Sequence, residues 1–254
     1  MHIFLVNDDG IGSKGIMALY RAAVERGHEV TMCAPRHQQS AASHRFTLSD
    51  PLFVTPFELD AEGCEGYAIT GSPADCVRVG LQHIKGKRKP VDVVISGIND
   101  GYNAGIAVHY SGTVGAAMEG AFHYIPSIAT SIAYNATQEM FDHLARYTIE
   151  MAEKYVKANP PRCSILNINA PRVAPDELQE AVYAPLDAGY FVDAYEHRVS
   201  PDGVDYYWLT NDGTIEAAAE GSDRDYLKKG HITLTVMGHF ESAAKETWDA
   251  LGIQ

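Results

Sequence analysis

The sequence has no long apolar run, and none approaches the about 20 consecutive apolar residues that a membrane-spanning helix needs. The first apolar stretch, His2 to Val6, is too short for a signal-peptide core and leads directly into a strand pattern. Cysteine is scarce. Cys33, Cys64, Cys76 and Cys163 lie far apart with no CxxC pair, so the expectation is reduced, mostly buried thiols in a cytoplasmic protein. Asn135-Ala-Thr matches a glycosylation acceptor, which carries no meaning without secretion. Basic residues are also few: 20 Lys and Arg stand against 33 Asp and Glu, a net charge of -13. That balance argues against a surface built for nucleic-acid backbone or for an anionic membrane. The one basic cluster, Lys85 to Lys89, reads as a solvated loop before the next strand. Internal repeats and low-complexity linkers are missing too.

What is present is the composition of an ordinary globular protein, 46% hydrophobic and 21% charged. The length of 254 residues fits one large domain, or a domain with an appendage. Residues 2 to 6 form a continuous apolar run, as a strand buried on both faces requires. Residues 14 to 26 carry Ile16, Leu19, Tyr20, Ala23 and Val24 on one helical face, and Gly27 ends that helix. Further strands are expected over 28–35, 66–70, 91–97, 125–133 and 164–171, with a long amphipathic helix over 141–158. Ser72, Pro73 and Asp75 have the order of an N-cap, a first-turn proline and a capping-box acid. Repeated βαβ units imply an α/β fold, a Rossmann-like parallel sheet flanked by helices.

The pattern changes after residue 183. Residues 189–210 read as two aromatic strands around a Ser-Pro-Asp-Gly turn, 231–240 as a further strand, and the end as helical. The expected organisation is a catalytic core over 1–182 and a hairpin arm with a C-terminal strand and helix over 183–254, within one compact unit. An isolated aromatic hairpin cannot bury both faces, so the arm is expected to pack on a second subunit rather than on its own core.

In parallel α/β sheets, sites form outside the carboxyl ends of the strands. After the first strand come Asn7, Asp8, Asp9 and Gly10. Capping of the next helix explains one aspartate, but two adjacent carboxylates suit a hard cation such as Mg2+, Mn2+ or Ca2+. Neighbours on an extended strand diverge, so this reading needs the strand to end there, as Gly10 and Gly12 permit. After the fourth strand, Ser96 to Gly105 holds Asn99 and Asn103 among glycines, too poor in helix formers for a stable helix and better read as a loop. Asn99 could give an oxygen to a cation, and Asn103 could bind an anion. Ser111, Gly112 and Thr113 precede an Ala-rich helix whose N-terminus can cradle phosphate. Ordinary capping by Ser111 would use the same groups, so both readings stand. His44, in the loop after the second strand, is either a surface histidine or a general acid or phosphate contact. Ser40 is not in a nucleophile-elbow context.

These segments resemble the SurE family of stationary-phase survival proteins. The resemblance is carried by Asn7-Asp-Asp-Gly, by Ala34-Pro35 with a serine five residues on, by Thr70-Gly-Ser-Pro-Ala-Asp-Cys and, most specifically, by the 25 residues from Ser96 to Gly120. It extends through 197–208 and 225–236. It implies a metal-dependent phosphatase, a 5'-nucleotidase acting on nucleoside 5'-monophosphates, with 3'-monophosphates as a second candidate class; the charge balance above leaves no nucleic-acid or membrane partner expected. It implies one divalent cation per subunit, Mg2+ or Mn2+, held by Asp8, Asp9, Ser40 and Asn99. Ser111, Gly112, Thr113 and Asn103 match the phosphate-binding part. The hairpin arm would be exchanged between subunits of a homodimer or homotetramer. Two departures stand beside the metal loop. Arg36-His37 replaces a common Asp-Arg, and Ala41 replaces a common glycine. Neither removes a proposed ligand, and both bear on substrate range.

The reading is therefore a phosphomonoesterase in which Asp8 or Asp9 acts as base or as nucleophile. Its rivals are a haloacid-dehalogenase-type phosphatase, which needs Asp-x-Asp rather than adjacent aspartates, and a receiver or nucleotide sensor without turnover.

Overall fold

A computed structural model describes residues 1–189 and 191–238. The first half of the chain runs through β1 (His2–Val6), α1 (Lys14–Glu25), β2 (Glu29–Pro35), β3 (Val54–Phe57), β4 (Glu65–Ile69), α2 (Pro73–Ile84) and β5 (Val93–Asp100). It continues through α3 (Gly112–Phe122), β6 (Ser127–Ile132), α4 (Gln138–Lys157), β7 (Ser164–Ala170) and β8 (Gln179–Tyr183). A hairpin of β9 (Phe191–Val199) and β10 (Asp205–Ile215), then α5 (Asp223–Lys228) and β11 (His231–Gly238), complete the described chain. The strand expected over 231–240 ends at Gly238 within the described residues, and the expected C-terminal helix lies outside them.

Nine strands form one sheet in the order β3-β4-β2-β1-β5-β6-β7-β11-β8. The central pairs are parallel, while β3 and β11 run antiparallel to β4 and β7. The sheet is therefore mixed, mostly parallel rather than wholly so. β3 and β8 are short edge strands that apolar periodicity does not announce. Pro56 fits β3, because proline is tolerated at a sheet edge. β11 enters the main sheet between β7 and β8, so the segment after residue 183 supplies a sheet strand as well as the hairpin.

The continuous apolar run of β1 is explained by burial on both faces. Ile3 and Leu5 join the cluster containing Ile16 and Leu19 of α1 and Phe141 and Ile149 of α4. Phe4 and Val6 face the opposite way, onto Cys76 and Val77 of α2 and Ala116 of α3. Each such side chain contributes roughly 1.5–3 kcal/mol when withdrawn from water. Helix α2 begins as expected: Ser72 Oγ accepts from Asp75 N at 3.1 Å, and Ser72 N donates to Asp75 Oδ2 at 2.9 Å. All four cysteines are free, and Cys33, Cys76 and Cys163 are buried.

One expectation is corrected. β5 does not stop at Gly97. After a register shift it continues, so that Asn99 pairs with Ser131 and Asp100 with Ile132 of β6. A β-carbon at Gly97 would lie 2.3 Å from the Thr130 carbonyl oxygen, and Gly97 has φ +138°. The glycine permits the bulge, and the strand runs on through Asp100, three residues beyond Gly97, before the loop begins at Gly101.

The hairpin forms a separate two-stranded sheet, with Asp205 opposite Val199 and Trp208 opposite Glu196. Tyr195, Tyr207, Trp208 and Leu209 are all more than half exposed.

Candidate active site

The chain runs from β1 to β2 on one side and returns to β5 on the other, so the crevice at the carboxyl ends of β1 and β5 is the switch point of the sheet. Strand β1 ends at Val6, before the acidic pair, which lies on a bend rather than on a strand. The divergence of strand neighbours therefore does not apply. Fully buried Asn7 braces the bend. Its side chain donates to Gly10 O at 3.0 Å and Ser13 Oγ at 2.7 Å, and its Oδ1 accepts from Gly10 N at 3.2 Å. Gly10 takes φ +104° to close the turn.

Asp8 is buried and faces the start of α3. Its Oδ1 accepts from the Thr113 hydroxyl at 2.5 Å. Burial pushes its carboxyl up to about 6 despite the opposing Thr113 hydrogen bond, and Asp9 adds repulsion. Asp9 is half-buried. Its Oδ2 accepts from Asp100 N and its Oδ1 from Gln38 Nε2, both at 3.4 Å. Burial raises its carboxyl as well, with repulsion from Asp100 adding to it. The same Gln38 amide donates to Ser40 Oγ at 3.0 Å, which ties the exposed Ser40 to Asp9. Asn99 is adjacent to the Asp100 amide that meets Asp9, and its Nδ2 donates to Gly101 O at 2.8 Å. The Asn99 amide nitrogen is thus engaged by the backbone while the oxygen is the group suited to a cation.

The donor set was tested against a hard divalent cation. Among the described residues no group of three or more His, Cys, Asp or Glu is gathered as metal ligands. The candidate set is instead two carboxylates with neutral hydroxyl and amide oxygens, the chemistry that suits Mg2+ or Mn2+. Neither Asp8 nor Asp9 forms an ion pair with a basic side chain among the described residues. Two partly desolvated carboxylates, both raised and lacking a side-chain cation, fit an added positive charge.

The start of α3, the expected phosphate cradle, lies against Asp8. Ser111 caps α3, its Oγ accepting from Val114 N at 3.1 Å. A β-carbon at Gly112 would stand 3.0 Å from Asp8 Cβ and 3.1 Å from Asp8 Oδ2, so glycine lets the helix terminus approach. Thr113 is fully buried with its hydroxyl committed to Asp8.

Asn103 sits deeper. Its Nδ2 donates to Ser131 Oγ at 2.8 Å, its N–H to Asn169 Oδ1 at 2.9 Å, and its carbonyl accepts from Asn167 and Asn169. Asn167 and Asn169 on β7 thus brace the loop, and periodicity within β7 marked them only as strand residues. His44 packs further along α3, where a β-carbon at Gly115 would lie 3.0 Å from its Cα. Its Nε2 meets Glu119 Oε2 at 2.8 Å, and its ring stacks on Phe122 with centroids 5.3 Å apart. Burial would raise buried Glu119, but His44 and Arg78 hold it below the usual carboxylate range. No hydrogen bond joins His44 to the acidic pair. Gln38, Asp100 and Glu119 were not foreseen. Only their spacing, two residues before Ser40, one after Asn99 and six after Thr113, could have pointed to them.

Comparison with known proteins gives one consistent result. Residues 3–191 match the family described as survival protein SurE. The chain is 39% identical over 246 residues to a 5'-nucleotidase SurE from Maridesulfovibrio salexigens, covering 97% of this chain and 96% of the relative. It is 39% identical over 236 residues to a 5'-nucleotidase SurE from Fervidobacterium nodosum, covering 92% and 90%. The crystal structure of the SurE protein from Aquifex aeolicus superposes with a TM-score of 0.80 at 30% identity, covering 99% and 98%.

Proposed function

The chain belongs to the survival protein SurE family, and on that premise we propose that it is a metal-dependent 5'-nucleotidase, a phosphoric monoester hydrolase that converts nucleoside 5'-monophosphates to nucleoside and phosphate. The observation that carries the reading is the Asp8-Asp9 bend: two raised carboxylates without a basic partner among the described residues, in contact with a glycine-opened helix terminus. The adjacency of the two aspartates departs from the Asp-x-Asp pattern of a haloacid-dehalogenase-type phosphatase. The receiver or sensor reading has no support from the match over 3–191.

We assign Asp8, Asp9, Ser40 and Asn99 to one divalent cation per subunit, Mg2+ or Mn2+. When bound, that ion supplies Lewis-acid polarisation of a phosphoryl oxygen and offsets charge in the transition state. The backbone N–H groups at the start of α3, that of Thr113 among them, hold phosphate oxygens with the Ser111 hydroxyl, and Gly112 admits them to Asp8. Asn103 closes the cradle, its amide held by Ser131. Thr113 fixes the rotamer of Asp8. Asp9, the more open carboxylate, takes the proton of an attacking water. His44, with Nε2 taken by Glu119, offers Nδ1 to the phosphate or to the leaving oxygen.

We assign the exposed hairpin to a homodimer or homotetramer interface, since Tyr207, Trp208 and Leu209 leave a large apolar surface uncovered. On this reading residues 1–182 are the catalytic core and the rest serves chiefly assembly. No helix of the described residues is long and apolar enough to cross a membrane. Four free thiols suit a reducing compartment, and we place the protein in the cytoplasm. The test is phosphate release from nucleoside 5'- and 3'-monophosphates and an aryl phosphate with Mg2+, Mn2+ or chelator. Turnover of the 5'-monophosphates that chelation abolishes is expected. Absence of turnover with either metal would overturn the assignment.

A further inference from the structure

Beside the acidic bend lies a pocket of opposite character. It has a volume of about 360 Å3, and its wall includes Arg36, His37, Gln39, Arg45, Thr70 and Ser72. Arg36 Nη2 donates to Thr55 Oγ1 at 2.7 Å, and Arg45 Nη2 donates to Gln39 Oε1 at 3.0 Å. Both acceptors are neutral. A guanidinium carries five N–H donors, so most remain for a ligand. Neither arginine forms an ion pair with a carboxylate among the described residues, although the chain carries a net charge of -13. The neighbouring carboxylate, Asp75, is buried and committed to Thr47 and Ser72.

The pocket and the candidate active site share one loop, which gives Arg36, His37 and Gln39 to the first and Gln38 and Ser40 to the second. Gln39 lines it and donates its backbone N–H to Asp8 O at 2.7 Å. The backbone of Arg36 and His37 lies against Gly10, 3.9 Å from where a β-carbon would stand. A phosphate ester held at Asp8 and Asp9 therefore has on one flank the loop that carries Arg36 and that holds Arg45 through Gln39. Planar guanidinium groups with free donors match phosphate oxygens in bidentate geometry.

We propose that the Arg36-Arg45 pocket is a subsite for a second phosphate on the substrate, so that the preferred substrate class is a nucleoside 3',5'-bisphosphate. The proposal rests on the phosphomonoesterase reading above. Water attacks the phosphorus held at the acidic bend and the ester P–O bond breaks. The water oxygen leaves in inorganic phosphate, the ribose oxygen takes a proton, and the second phosphate stays on the product in the arginine pocket. Arg36 and Arg45 are positioning residues that need not touch the reacting atoms.

The experiment compares kcat/KM for adenosine 5'-monophosphate and adenosine 3',5'-bisphosphate in the full-length protein and in its Arg36→Gln/Arg45→Gln variant. A companion calorimetric titration with the bisphosphate is run in chelator, where turnover plays no part. The wild type is expected to favour the bisphosphate by about tenfold, the effect of one charge-assisted contact. The variant should lose that preference while turning over the monophosphate within about twofold of wild type. Its calorimetric affinity for the bisphosphate should fall by about tenfold. If circular dichroism shows the double variant unfolded, the two single variants take its place. Equal kcat/KM for the two substrates in the wild type, or calorimetric affinity unchanged by the substitutions, would overturn the subsite. Lack of turnover of any monophosphate would instead overturn the enzymatic reading, and the calorimetry would still decide the subsite.

Discussion

Gly112 and Asp8 touch: a β-carbon at position 112 would lie 3.1 Å from Asp8 Oδ2. The start of α3 and the end of β1 are thereby locked together at the point where an anion and a cation would meet. Gly112→Ala separates the two roles of that glycine. Alanine is a better helix former by up to about 1 kcal/mol in a helix interior, but position 112 is the first residue of α3 and its β-carbon crowds Asp8 and Pro73, so the two effects offset and the melting temperature should change by no more than a few degrees. Contacts of 3.0 and 3.1 Å require Asp8 to give by about a few tenths of an ångström, so kcat/KM should fall by about tenfold, well short of the about 100-fold of a 1 Å misplacement. Steady-state kinetics beside a thermal melt checks the split. Unchanged kinetics would show that the approach of α3 to Asp8 is not used.

Far from that crevice, Glu153 ties α4 to the end of α1. It accepts from Arg26 at 3.0 and 2.6 Å and meets His28 Nε2 at 2.9 Å. The Arg26 hydrogen bonds, with His28, hold its carboxyl down to about 2 against partial burial. A carboxylate held below its ordinary 4.5 stabilises the fold at all pH above that value, and the contribution is lost as pH falls towards about 2. Glu153→Gln should cost about 0.5–1 kcal/mol at pH 7, the scale of a well-formed surface pair. The difference from wild type should shrink steadily below pH 4.5. Urea denaturation across that range measures it, and phosphate release should not change.

The exposed hairpin gives a third expectation. Replacing Tyr207, Trp208 and Leu209 with serine removes the apolar surface that the account assigns to assembly. Light scattering after size-exclusion chromatography should read a dimer or tetramer for the wild type and a smaller species for the variant. A monomeric wild type would contradict the assignment.

Several of these features were legible in the residues alone. The two-faced burial of β1 follows from an unbroken apolar run, and the start of α2 from Ser72, Pro73 and Asp75 in capping order. The continuation of β5 was not legible, because Gly97 and Asn99 are poor strand formers. What extends the strand is a close approach to Thr130, distant in sequence. Edge strands β3 and β8 are too short, and too open to solvent, to leave an apolar signature. The acidic bend and the serine-glycine-threonine turn were visible as motifs. The bracing of Asn103 by β7 and the coupling of Asp9 to Ser40 through Gln38 depend on which strands lie side by side. Local sequence cannot report that order.

The central claim, that Asp8 and Asp9 hold the cation that drives phosphate release, is tested most directly at Asp9. Asp9→Asn keeps the shape of the side chain and removes its charge. Divalent-cation-dependent phosphate release from a nucleoside 5'-monophosphate should fall by about 1,000-fold or more, as expected when a group serving both cation and water is lost. Circular dichroism should show the fold intact. Wild-type rates from Asp9→Asn with added Mg2+ or Mn2+ would contradict the account.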